Sequence, residues 1–379
     1  FNNYGVYLKI LFPFVGDSVG GSHHSIIELH RELCKNNISA SILVHQKGPL
    51  SLFLDSIGVA YEYLPIQNFS GDKPNVFLIL YNSLTNFNRI YKYIRQNKIS
   101  LVHGNDLRIN LTWSFPVKLS CASYVWHQRT IMSTSILWKS SKLLADHFVT
   151  ISNYVHQSLP KSIKKSKKTL VLNPFNIDNF FQQKTSREWL NTLHGIPKDS
   201  ILLGYIGRLV EWKNVNFLIL CFAECVKRTN LNLHLIIVGT GSSEYVNSIK
   251  HLVSELGINS IVTFAGFSSK PNQVISAFDL MIAPSDKEPF GRTIIEAMIQ
   301  KVPVLAAKGG GHLETIEHKC IGWLYNHNDV EDFIMQLKEI VNEHEMTDGI
   351  VQRAYIHAYS KYSSTEHVKN MINIYHRLN

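Results

Sequence analysis

Short apolar runs alternate with amphipathic stretches along nearly the whole chain, the pattern of parallel sheets covered by helices. In the first half, Val6–Phe12, Ser39–Val44, Ala60–Leu64, Ser100–His103, Ser123–Trp126, His147–Ile151 and Thr169–Leu172 read as strands, with helical periodicity over Ser22–Cys34, Asn86–Gln96 and Ile136–Leu144. In the second half the strands are Ile201–Ile206, Leu233–Val238, Ile261–Phe264, Leu280–Ala283 and Val302–Ala306. Helices are expected at about 214–228, 243–256, 271–277, 293–300 and 329–343, and Thr365–Leu378 closes the chain as an amphipathic helix. Neither period persists from Asn173 to Pro197, which places a domain boundary there. The expectation is an α/β protein of two Rossmann-like, doubly wound domains facing a cleft, over 1–175 and 176–360, with a terminal helix in 361–379. Ligands of such sheets bind beyond the carboxyl ends of the strands, so the strand-end loops hold the candidate chemistry.

Length and composition fit this picture. A chain of 379 residues exceeds one ordinary core and suits two. No apolar run approaches the roughly 18 residues of a membrane span. No basic segment precedes the first apolar strand, so no signal peptide is expected. The five cysteines, Cys34, Cys121, Cys221, Cys225 and Cys320, are odd in number and read as reduced core residues of a cytoplasmic protein. CxxC, HExxH and DxD are all missing, and no metal is expected. Residues 1–175 carry 19 Lys/Arg against 8 Asp/Glu, and the remainder 19 against 21, so the net +9 comes from the first half. Lys161, Lys164, Lys165, Lys167 and Lys168 concentrate that charge, either as a solvated loop or as a contact for an anionic surface.

The sharpest local signal is Glu288-Pro-Phe-Gly-Arg-Thr-Ile-Ile-Glu296, which lies between a buried strand and a helix. A turn running into a helix N-terminus gathers free N–H groups and the positive end of the dipole, a natural anion site. A carboxylate in an apolar stretch is costly to bury without hydrogen-bond donors, and sugar or ribose hydroxyls are suitable ones. A phosphate at Gly291–Thr293 with diols for Glu288 and Glu296 satisfies both. Alternatively, Glu288 is a solvated loop acid and Glu296 a first-turn acid favoured by the dipole.

Other strand ends add to this. Gly207-Arg208 and Lys213-Asn214 follow one strand, where Arg208 and Lys213 either converge on a diphosphate or form a solvated pair beside Glu211. Gly239-Thr-Gly241 lacks the third glycine of a dinucleotide fingerprint, which disfavours NAD. Gly20-Gly21 follows the first strand and allows close backbone approach, with Ser22 as a candidate N-cap. Tyr124-Val-Trp-His127-Gln-Arg129 and His103-Gly-Asn105-Asp106 end two more strands, each with a histidine that is either functional or merely hydrogen-bonded.

Together, Gly207-Arg208…Lys213-Asn214, Val238-Gly-Thr-Gly241, Phe264-Ala-Gly266, the Glu-x7-Glu segment from Glu288 to Glu296 continuing into Ala-Met, Val302-Pro-Val and Gly309-Gly-Gly311 resemble the retaining glycosyltransferases of family GT4, which have the GT-B fold. The resemblance implies that the terminal helix packs back toward the N-terminal, acceptor-side domain. It implies a nucleotide-sugar donor, UDP by family frequency, without a cofactor or metal, and a glycan or lipid-linked acceptor. Arg208 and Lys213 would hold the diphosphate, with Gly207, Gly239, Gly241, Arg292 and Thr293 around the donor. Glu296 would bind ribose, Glu288 with the Phe290–Gly291 backbone would grip the sugar, Gly20 and Gly21 would cover the phosphates, and His127 would lie beside the sugar. Arg292 departs from the family, where an aliphatic residue is frequent, and Gln128 follows His127 where Asp is common. The implied place is the cytoplasm, with peripheral contact at the inner, anionic face of the membrane and no nucleic acid. Rival readings are a nucleotide-sugar epimerase of the same fold, a phosphorylase, a non-catalytic nucleotide-sugar-binding subunit, and a glycoside hydrolase using Glu288 and Glu296 as its acid pair.

Overall fold

A computed structural model describes residues 8–66, 69, 76–132, 143–178 and 180–379. They form two compact units, Phe1–Phe175 with Ser364–Asn379, and Asn176–Ser363. The first contains a seven-stranded sheet of β1 (Lys9–Phe14), β2 (Ser39–Val44), β3 (Glu62–Tyr63), β4 (Leu101–Gly104), β5 (Ser123–Gln128), β6 (His147–Thr150) and β7 (Lys168–Leu170), in the order β3-β2-β1-β4-β5-β6-β7. The second contains β8 (Ile201–Ile206), β9 (Leu233–Val238), β10 (Val262–Gly266), β11 (Leu280–Ala283), β12 (Val304–Ala307) and β13 (Trp323–Tyr325), in the order β10-β9-β8-β11-β12-β13. All the pairings between these strands are parallel.

Parallel strands with helices on both faces are buried on both sides, which is why they read as continuous apolar runs. In β1, Ile10, Phe12 and Phe14 pack into one cluster with helix Gly21–Lys35 and with Val368, Met371, Ile374 and Tyr375 of helix Ser364–Leu378. Leu11 faces the opposite cluster, with Ile90, Ile94 and Trp113. A core of the second unit joins Leu203 and Tyr205 of β8 to Leu235 and Ile237 of β9, with Phe217, Phe222, Phe333 and Leu337 covering them.

Strand order reverses beside β1, which lies between β2 and β4, and beside β8, which lies between β9 and β11. A reversal leaves a crevice at the carboxyl ends, because the connections on its two sides leave in opposite directions. In the second unit that crevice is bounded by the loop after β8, with Gly207 and Arg208, and the loop after β11, with Glu288.

Several expectations are corrected. The segment from Asn173 to Pro197 is not without structure, since Gln183–His194 is a helix. Gly20, not Ser22, is the N-cap of helix Gly21–Lys35. Cys34 and Cys121 are exposed and Cys320 is half-buried, so only Cys221 and Cys225 are core residues; all five are free thiols. The helix expected at Ile136–Leu144 lies almost wholly outside the described residues. Among them, no helix is long and apolar enough to cross a membrane.

Candidate active site

The loop after β8 is built by close backbone approach. Gly207 N donates to Val238 O at 3.0 Å and Leu209 N to Thr240 O at 2.8 Å. A Cβ on Gly239 would lie 1.8 Å from Gly207 O, and one on Gly241 1.9 Å from Leu209 O. The two glycines therefore let the loops after β8 and β9 lie against each other. Tyr205 donates its hydroxyl to Arg208 O at 2.8 Å, fixing the backbone where that side chain departs. A single 3-10 turn, Glu211–Lys213, then leads through left-handed Asn214 (φ 58°) into helix Val215–Arg228. Trp212 serves both cations, with the Arg208 guanidinium 5.9 Å and the Lys213 ammonium 4.6 Å from its ring centroid.

Across the crevice, Ser285 donates its hydroxyl to Trp212 O at 2.9 Å, tying the loop after β11 to the cationic turn. Lys213 Nζ is paired with Glu288 Oε1. Burial, and after it the charge of Arg208, pushes the Lys213 ammonium down to about 7; the Glu288 carboxylate pulls the other way. Gly291, at φ 89°, is the N-cap of helix Arg292–Ile299. Gly311 N donates to Glu288 O at 2.7 Å, and a Cβ on Gly311 would lie 2.6 Å from Phe290 Cα, so the triple glycine lies directly against the Glu288–Phe290 backbone. Phe290 is buried and makes an edge-on contact with Tyr362 at 5.8 Å.

Glu296 accepts from Arg292 Nε at 2.9 Å. Burial raises the Glu296 carboxyl, and Arg292 opposes the rise. The two acids of the Glu-x7-Glu segment thus each have a cation. For Glu296 it is the residue by which the sequence departs from the family pattern.

His312 was not singled out in the sequence. It is buried against Gly291, donates from Nδ1 to Ala307 O at 3.0 Å, and keeps a buried Nε2 without a hydrogen-bond partner among the described residues. Burial lowers it to about 4, so the ring is neutral and Nε2 is an acceptor. A histidine directly after Gly309-Gly310-Gly311 was the available signal.

In the first unit, Gly20 N donates to His23 Nδ1 at 3.0 Å at the start of helix Gly21–Lys35. A Cβ on Gly20 would meet only His23 Nδ1, at 3.9 Å. His127, at the end of β5, is buried beside His103 at the end of β4, with 3.0 Å between His127 Nδ1 and His103 Nε2. Arg129 reaches His127 Nδ1 at 3.3 Å and is itself held by Asn105 and Asn173. Arg129 and Asn173 were given no role from the sequence. Among the described residues, no group of three or more His, Cys, Asp or Glu is placed to hold a metal ion.

Residues 188–357 match the family of glycosyl transferases group 1. The chain is 27% identical over 232 residues to N-acetyl-alpha-D-glucosaminyl L-malate synthase of Bacillus anthracis, covering 61% of this chain and 60% of that one. It is 24% identical over 257 residues to a poly(ribitol-phosphate) alpha-N-acetylglucosaminyltransferase of Staphylococcus aureus, covering 66% and 49%. The chain spans about half the length of the curated relatives it matches. Among solved structures, Anabaena HepE in complex with UDP and glucose superposes with a TM-score of 0.82 at 20% identity, over 97% of this chain and 99% of that one. At that identity the likeness speaks for the fold alone. The chain that carries this partial match to the glycosyl transferases group 1 family has the GT-B fold.

Proposed function

We propose that the protein transfers a sugar from a nucleotide diphosphate, UDP in particular, to a hydroxyl of a glycan or lipid-linked glycan, with retention of the anomeric configuration and without a metal. The observation that carries this reading is the Arg208–Trp212–Lys213 cluster with Glu288, at the switch point of the second sheet and beside a helix N-terminus. A diphosphate competes with Glu288 for Lys213, and a displaced Glu288 is free to accept from sugar hydroxyls.

As the bond from the anomeric carbon to the β-phosphate oxygen breaks, charge accumulates on that phosphate. Arg208, Lys213 and the backbone N–H groups at Gly291–Thr293 are fixed donors for it, the kind of preorganised stabilisation that lowers barriers most. The acceptor oxygen bonds to the anomeric carbon on the face the phosphate leaves, and its proton passes to the departing phosphate. Retention is supported by the family resemblance and by the alpha linkage in both relatives' names, given an α-linked donor. UDP is taken from the frequency of UDP donors in the family that the motifs resemble; HepE, of the same fold, is a protein solved with UDP and glucose. Gly207, Gly239 and Gly241 support the cationic loop, while Gly20, Gly21 and His127 are assigned to the donor from the first unit. The reading places the enzyme in the cytoplasm, at the anionic face of a membrane when the acceptor is lipid-linked.

A thermal-shift panel of UDP, GDP, ADP and NAD is the test, since a ligand at 100 times its Kd adds about 2.7 kcal/mol of stability. The expected result is a rise with UDP above the others. No rise with any nucleoside diphosphate sinks the reading, and a larger rise with GDP or ADP replaces the base.

A further inference from the structure

Three buried side chains of the first unit form a line: Tyr375 on helix Ser364–Leu378, His103 on β4 and His127 on β5. The Tyr375 hydroxyl lies 2.6 Å from His103 Nδ1, and His103 Nε2 lies 3.0 Å from His127 Nδ1. The far end, His127 Nε2, is buried and has no partner among the described residues.

The direction of the hydrogen bonds follows from both ends. A guanidinium only donates, so Arg129, 3.3 Å from His127 Nδ1, requires that nitrogen to be a bare acceptor. At the other end, the buried phenol has one hydrogen, and His103 Nδ1 is its one acceptor among the described residues. Leaving that hydrogen unpaired would incur a desolvation cost. The phenol therefore donates to His103 Nδ1, which leaves the proton of neutral His103 on Nε2, donating to His127 Nδ1. The two ends agree, and the proton of neutral His127 is left on Nε2. Burial and the Arg129 charge hold both imidazoles well below their usual pKa, with His367 adding in the same direction. Among the described residues no acid counters them, so a second proton on either ring is disfavoured.

We infer that Tyr375, His103 and Arg129 are positioning residues that fix His127 in the Nε2–H tautomer, so that it meets its ligand as a hydrogen-bond donor and takes an oxygen lone pair. Under the glycosyltransferase reading, on which only this last identification rests, that oxygen is a hydroxyl of the donor sugar. The terminal helix is then part of the site's support and not only of the core.

The tautomer is measurable without any ligand. Protein labelled with ¹⁵N at histidine shows which ring nitrogen carries hydrogen, and His127→Gln identifies the His127 signals by their loss. The expected state is protonated Nε2 and bare Nδ1; a wild-type His127 protonated on Nδ1 overturns the inference. In Tyr375→Phe, an Nδ1-protonated fraction should appear, and kcat for sugar transfer should fall about ten-fold with KM for the donor changed less than roughly two-fold. An unchanged tautomer in that variant overturns the positioning role, and a changed tautomer with unchanged kcat overturns its link to transfer. If Tyr375→Phe does not fold, His103→Leu, which removes the donor to Nδ1, is read by the same criteria. A wild-type protein with the expected tautomer but no transfer activity would remove the proposed function and leave the tautomer assignment standing.

Discussion

Lys213 is placed so that its charge depends on what lies beside it. Burial and Arg208 disfavour the ammonium and Glu288 favours it. A diphosphate also favours it, so binding takes up a proton wherever free Lys213 is neutral, and affinity falls as pH rises. The Kd for UDP should rise above about pH 7, approaching ten-fold per unit, while Lys213→Arg should flatten the profile because a guanidinium stays charged. Calorimetric titration on both sides of that value checks it; a flat wild-type profile would show that Glu288 keeps the lysine charged throughout. The two acids should also separate. Glu296→Ala is expected to weaken UDP binding, because it removes the proposed ribose ligand and leaves Arg292 without its carboxylate. Glu288→Ala should preserve or tighten UDP binding, since Lys213 is released, while depressing turnover. Equal losses of UDP affinity in both variants would refute this division.

At the scale of elements, the glycines of the candidate site serve different ends, and substitution should reveal it. A methyl group on Gly239 (φ 144°) would collide with Gly207 O, so Gly239→Ala should cost about 1–3 kcal/mol and lower Tm by roughly 2–4 °C for each. Gly20 has extended backbone (φ −154°) and room for a methyl, so Gly20→Ala should cost less than about 1 kcal/mol. It should still weaken UDP binding if that backbone approaches the phosphates. Melting curves with UDP titrations distinguish the two, and equal destabilisation would refute the distinction. Most strands were legible because central parallel strands are apolar on both faces. Several missed elements bury few large apolar side chains or mix them with polar ones. Helix His344–Lys361 buries Thr347, Ile350, Ala354 and Ala358, a face of mostly small residues, and helix Gln183–His194 buries Ser186, Leu190 and Asn191. Helix Leu107–Leu119 does bury Ile109, Trp113 and Val117 at four-residue spacing, but Pro116 inside it and the buried Asn110, Thr112 and Ser114 between them mask that period in the sequence. Strand β13 has three residues. In the candidate site, the Glu-x7-Glu segment is local and could be read. The tie of Lys213 to Glu288 spans 75 positions, and that of His103 to Tyr375 spans 272, so neither leaves a trace in spacing.

The charge of the whole molecule divides with its architecture. Counted by compact unit, Phe1–Phe175 with Ser364–Asn379 carries 21 Lys/Arg against 9 Asp/Glu, or +12, and Asn176–Ser363 carries 17 against 20, or −3. The unit proposed to hold the diphosphate is thus slightly acidic overall, and its anion site depends on local cations and helix ends. The excess belongs to the unit assigned to the acceptor. Lys161, Lys164, Lys165 and Lys167 are exposed and Lys168 is half-buried, on the turn that enters edge strand β7. A transferase acting on a lipid-linked glycan works at an anionic leaflet, whose potential attracts such a cluster within a Debye length, about 8 Å at physiological salt. Spread over a loop, five lysines give reversible attachment, not anchoring. The protein should therefore float with phosphatidylserine vesicles at low salt and be released at high salt, and changing these five lysines to Gln should reduce the bound fraction. The variant should keep its UDP affinity, because none of the five belongs to the candidate donor site. Absence of flotation at low salt, or flotation indifferent to salt, would favour a soluble acceptor, and the surplus charge would then serve solubility alone.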